Sequence, residues 1–239
     1  MSKRVESAVK DQLHRRGEVE LRELPLVVLG EMVIMPNMTV PLQVGQGKSF
    51  RAMEQAWEED KEVLLIFVAE HEIEGYKNGQ PNQLPKVGVI ARLEEFIKLP
   101  DGTVRIILEG LARAQISEFV QSDPFYRVSC VQLTDPDMSS MEIEALMDTV
   151  KQQIDEFVDH LGEVPQEAVA FVHRIDKPGH LADVVTWAPA FEFQERLDML
   201  NELDPVLRLR RAQVLLLSLI HISEPTRRTP ISYAVFCLK

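Results

Sequence analysis

Apolar residues recur at every second position through the first half of this chain and at every third or fourth position through the second half. The clearest alternation surrounds Pro100-Asp101-Gly102. Before it, Val87, Val89, Ala91 and Leu93 alternate with smaller or polar residues; after it, Val104, Ile106 and Leu108 alternate with Arg105, Ile107 and Glu109. Gly tolerates positive φ and Asp bonds its own backbone, so Asp-Gly suits a reversal. Two-residue spacing on both sides of such a turn predicts a long antiparallel hairpin over Val87 to Ile116.

Shorter strands are predicted upstream. Leu24 to Leu29 is an apolar run, Met38 to Val44 is a second strand with Pro41 pointing to an edge or bulge, and Val63 to Ala69 is apolar throughout, as a strand buried on both faces would be. One helix interrupts them, with Phe50, Met53, Ala56 and Trp57 on one face. His71 to Pro85 reads as a surface loop, and Phe125 to Leu133 closes the β region.

The period changes near Pro136. Ser139 and Glu142 suit a capping box, and Ile143, Met147, Val150, Ile154 and Leu161 follow at helical spacing. Pro165 opens a second helix ending near Lys177-Pro178-Gly179, a third covers His180 to Trp187, a fourth Glu192 to Asn201, and Asp204-Pro205 starts a fifth. Strands first and helices after define an α+β fold. The expected parts are a tail at 1–20, a β-rich subdomain at 21–135, a helical subdomain at 138–216, and a remainder at 217–239. That remainder carries Pro225 and Pro230 and shows no continuing period. It resembles the translated read-through of a sequencing-library adapter, so it is expected to be non-native and to add nothing to the core.

Composition narrows the function. The 239 residues carry a net charge of −12, which disfavours a nucleic-acid partner, since phosphate binding needs clustered Lys and Arg. No run reaches the roughly 18 apolar residues of a membrane span, and the N-terminus lacks an apolar signal-peptide centre, so a cytoplasmic protein is expected. Cys130 and Cys237 make no disulfide framework, and His14, His71, His160, His173 and His180 fall in no metal-binding spacing. No metal and no cofactor are expected, and no GxSxG elbow offers a nucleophile.

Two stretches invite a functional reading. Gly45-Gln46-Gly47-Lys48-Ser49 lies between a strand and a helix, as a phosphate-binding loop does. The required earlier glycine is replaced by Leu42, inside a strand, so the glycines are better read as a turn and helix start. Met32, Val33, Ile34, Met35 and Met38 form an apolar loop. Methionine adapts to variable apolar shapes, which suits contact with polypeptide substrates. The same residues could equally fill the mouth of the β structure as core, and both readings stay open.

Several of these segments taken together are similar to a known family. LRELPLVVLGEMVIMPNMTVPLQVG, VLLIFVAEHEIE, VGVIARLEEFIKLPDGTVRIILEGLARAQI, DKPGHLADVV and FQERLDMLNELDPVLRLRRAQVLL, in order from Leu21 to Leu216, resemble the N-terminal domain of Lon, the ATP-dependent protease. The resemblance implies a PUA-like β pseudo-barrel followed by a helical bundle. It implies a region that does no chemistry, that helps recognise unfolded or tagged protein substrates, and that supports homohexamer assembly. The family's AAA+ and Ser-Lys protease segments have no counterpart in these residues, so neither ATP nor peptide hydrolysis is expected. A free-standing Lon-N-domain binding module is the alternative. RNA binding, suggested by the PUA-like fold alone, runs against the acidic charge.

Overall fold

A computed structural model describes residues 21–45, 47–69, 84–100, 102–161, 164–188 and 190–223, with the His71 to Pro85 loop largely outside them. The chain divides into two compact units, Met1–Thr134 and Asp135–Lys239.

The first unit is built on a six-stranded mixed sheet: β1 (Leu21–Gly30), β2 (Thr39–Val44), β3 (Glu62–Val68), β4 (Val87–Lys98), β5 (Val104–Gln121) and β6 (Arg127–Leu133). The order is β2-β5-β4-β3-β1-β6, and β6 also pairs with β5. The sheet therefore curls into a pseudo-barrel without closing as a regular one. Two strands change partners along their length. β1 pairs with β6 over Leu21–Pro25 and with β3 over Leu26–Gly30, while β5 pairs with β2 over its first residues and with β6 over its last. Only β1 and β3 run parallel. The crossover they need is supplied by 31–61, which includes helix α1 (Lys48–Glu58) packed against β1 and β3.

The hairpin forms where alternation predicts it, and Gly102 takes φ 81° in its turn. Pro41 sits in β2, opposite Ile107, and among the described residues β2 pairs with β5 alone. All of Val63–Val68 is buried. Leu64 and Ile66 join Leu26, Ile90, Ile116, Val128 and Cys130 in one inner cluster, while Val63, Leu65 and Phe67 are buried on the other face. The interior is filled by side chains.

A charge cluster crosses three strands of this sheet. Glu62 on β3 pairs with Arg22 of β1 and, at 3.0 Å, with Arg92, its register partner on β4. Burial pushes the Glu62 carboxyl upward, but the two guanidinium groups outweigh it and hold the carboxyl below its ordinary value.

The second unit holds α2 (Met141–Leu161), α3 (Gln166–His173), α4 (Pro178–Val185), α5 (Phe193–Asn201) and α6 (Pro205–Ser223). The cap of α2 lies one residue later than the expected pair Ser139 and Glu142. Ser140 Oγ accepts from the Ile143 amide at 3.2 Å, while Ser139 Oγ donates to Glu144. Two consecutive serines offer the same chemistry, and the helix uses the second. The second helix is shorter than expected, because Pro178 stands at the start of α4 instead of the end of α3. Asp204 caps α6, its Oδ1 accepting from the Val206 amide at 2.8 Å.

The expectation that 217–239 adds nothing to the core is corrected for its first residues. Helix α6 continues past Leu216 to Ser223, and Ile220 is only 7% exposed. No Gly or Pro interrupts the chain between Leu216 and Ser223, so the helix propagates.

At the centre of this unit Arg208 is 0% exposed. Its guanidinium bonds Asp135 and the Glu202 carbonyl, and its Nε lies 3.1 Å from Asp183 Oδ1. Gly179 borders the pair so closely that a Cβ there would run into the Asp135 carboxylate and the guanidinium.

Two outcomes are expected. Arg208→Ala takes the guanidinium away from the buried Asp183 and should lower stability by about 3–5 kcal/mol in urea titration. Glu62→Gln should lose the stability that the depressed carboxyl contributes. That difference from wild type should be full above the ordinary value of 4.5 and should vanish as the pH falls through the lowered value, as read by denaturation at a series of pH values.

Candidate functional site

The apolar segment between β1 and β2 is held by backbone bonds at both ends. At its start the Glu31 amide donates to the Val68 carbonyl at 3.0 Å. At its far end the Asn37 amide donates to Gly110 O at 2.7 Å, and the Gly110 amide donates to Met38 O at 2.9 Å. Gly110 on β5 is required here, since a Cβ would strike the Met35 carbonyl. Glu31 and Asn37 take φ of 50° and 64°, the left-handed conformation that turns the chain at each end.

This anchoring sorts the five candidate contact residues. Val33, Ile34 and Met35 are 2%, 0% and 1% exposed, while Met32 and Met38 are half-buried. Arg113, itself buried, points an Nη2 at Met35 Sδ from 3.9 Å. Of the five, Met32 and Met38, at the two ends of the segment, keep part of their side chains at the surface. Alternation could have separated them from the middle three only if the loop had strand periodicity, which it lacks.

The phosphate-loop lookalike is committed to structure. Gly47 is the N-cap of α1, and the Lys48 ammonium donates to Ser122 O at 2.7 Å and lies 4.5 Å from the centre of the Tyr126 ring. Ser49 Oγ exchanges bonds with both backbone groups of Val28. Burial pushes the Cys130 thiol up to about 11, so it is a poor nucleophile. Among the described residues no group of His, Cys, Asp and Glu could hold a metal ion, and no helix is long and apolar enough to cross a membrane.

The second unit contains an open cleft of about 970 Å³ between α2 and α3. Val158, Val164 and Val169 line it with Asp155, Asp159 and Glu167. Sequence reasoning passed over these residues. On a single helix a carboxylate beside a half-buried valine looks like a solvated face, and only the approach of two helices makes it a wall.

The model of the ATP-dependent protease La (LON) substrate-binding domain matches residues 23–218. The chain belongs to this Lon substrate-binding family. It is 69% identical over 199 residues to the Lon protease of Chloroflexus aggregans, covering 83% of this chain and 24% of that protein. The Lon protease of Brevibacillus choshinensis is 34% identical over 188 residues, again 24% of its length. The chain thus spans about a quarter of these Lon relatives. The solved N-terminal domain of Mycobacterium avium complex Lon protease superposes with a TM-score of 0.66 at 21% identity, covering 84% of this chain and 98% of that one. A Lon N-terminal domain protein from Xanthomonas campestris gives 0.55 at 18% identity, over 81% and 97%. The α+β fold with its pseudo-barrel is therefore that of Lon N-terminal domains.

Emptying the buried middle of the loop should differ from trimming its half-buried ends. Met35→Ser should lower stability by about 2–5 kcal/mol. Met32→Ser and Met38→Ser should each stay within about 1 kcal/mol in the same thermal and urea measurements.

Proposed function

We propose that this chain is the substrate-recognition and assembly region of a Lon-type ATP-dependent protease, acting in protein quality control. The family match over residues 23–218 carries the reading, because the matched family is defined by substrate binding. In this reading the chain holds unfolded or tagged polypeptide for catalytic machinery located elsewhere, works in the cytoplasm, and associates with copies of itself in a homohexamer. Two features support a non-catalytic role: the filled interior of the first unit and the structural commitment of Lys48.

Met32 and Met38 are the contact points proposed on the first unit, with Val33, Ile34 and Met35 as the packing beneath them. A few adaptable side chains give weak binding, in the range of about micromolar to millimolar. Six copies would raise the effective affinity by avidity.

The test uses the whole chain with labelled reduced, carboxymethylated α-lactalbumin, an unfolded probe. Wild type should raise its fluorescence anisotropy, and the double variant Met32→Ser/Met38→Ser should bind more weakly at an unchanged melting temperature. No binding by wild type would overturn the recognition role, and unchanged binding by the variant would remove the two methionines from it. The chain should turn over no ATP; turnover abolished by Lys48→Ala would contradict the non-catalytic reading.

A further inference from the structure

The cleft between α2 and α3 pairs an apolar floor with an excess of negative charge, the carboxylates of Asp155, Asp159 and Glu167 standing against the guanidinium of Arg174. Val158 and Val169 are half-buried, and Val164 lies between the two helices. Across this floor stand Asp159 on α2 and Glu167 on α3, both exposed, and neither is held in an ion pair among the described residues. Asp155 is engaged by His173 Nε2 at 2.9 Å, and Arg174 also lines the cleft. Like charges lining one cleft repel, and water screens them only in part. A cation placed between them relieves that repulsion, and an aliphatic stem beside it covers the valines.

Lysine and arginine combine these two properties, with a charged head on an apolar stem. An aliphatic neighbour in the same polypeptide would fill the rest of the floor. The cleft, of about 970 Å³, is open, so a polypeptide segment could lie along it without being enclosed. We propose that the α2–α3 cleft is a polypeptide-binding site selective for segments in which Lys or Arg adjoins aliphatic residues. The site rests on the substrate-recognition reading and narrows it to a sequence class. It is separate from the Met32 and Met38 contacts, which carry no charge.

The test uses a fluorescein-labelled peptide of about twelve residues, alternating Lys with Leu-Val pairs, and its counterpart with Glu for every Lys. Anisotropy titrations use the whole 239-residue chain and its Asp159→Lys/Glu167→Lys variant. Wild type should prefer the Lys peptide by about tenfold or more, the variant should reverse the preference, and salt should weaken both. Equal binding of the two peptides by wild type, or a preference unchanged in the variant, would overturn the proposal. The carboxymethylated α-lactalbumin assay separates the two levels. If that probe binds and the peptides show no charge preference, the cleft is wrong and the recognition role stands; if nothing binds, both fall.

A second copy is the rival occupant. Leu207, Arg210, Arg211 and Val214 form an exposed basic and apolar face of α6 that could itself enter an acidic cleft. Sedimentation of wild type showing self-association that the cleft variant loses, and that the Lys peptide does not compete away, would assign the cleft to the second copy and overturn the peptide proposal. Self-association that is absent, or that the cleft variant leaves unchanged, clears the cleft of a second copy and supports the peptide proposal.

Discussion

A strand with no exposed side is the constraint on which the first unit depends. Every residue from Val63 to Val68 is buried, so β3 needs a partner at each edge and a cover on each face. β1 and β4 supply the edges. The curl of the sheet supplies one face, through Leu26, Ile90 and Val128, and α1 packs against the same pair of strands. The parallel β1–β3 pairing follows from this demand, since only a crossover long enough to include a helix can return the chain in the same direction. The residues between the two strands must then carry both α1 and the apolar loop, which is why Val33, Ile34 and Met35 are drawn inward while the loop's ends stay near the surface.

The second unit solves a different problem. Its helices are mostly short, α3 and α4 having eight residues each, and helices of that length have little stability of their own. Arg208 gathers the segments around them, reaching Asp135 before the first helix, Asp183 in α4 and the Glu202 carbonyl between α5 and α6. A guanidinium suits this position because its fork meets several acceptors at once. Such a cluster fixes which segments meet more than it adds stability, since burying its charges opposes the gain from pairing them.

Much of the architecture was legible because period and punctuation agree with it. The alternation around Gly102, the uninterrupted run at β3 and the Asp204-Pro205 helix start each translate directly into local geometry. Misreadings occurred where two neighbours offer the same chemistry or one residue serves two elements. Ser140 caps where Ser139 was expected, Pro178 begins a helix instead of ending one, and α6 runs on to Ser223. The candidate contacts were legible only as a group. Nothing local says that Met35 lies under Gly110 while Met32 and Met38 sit half-exposed, because that depends on strands far along the chain. The α2–α3 cleft was invisible for the same reason: each of its walls alone is an ordinary amphipathic helix.

The position of Pro41 has a bearing on aggregation. A sheet edge exposes a row of amide and carbonyl groups onto which any extended chain can add itself as another strand. Extended chains at high local concentration are where such an edge would nucleate fibres. Proline lacks an amide hydrogen, so it breaks the donor row of β2 at its middle. The edge can border an extended chain without becoming a template for it.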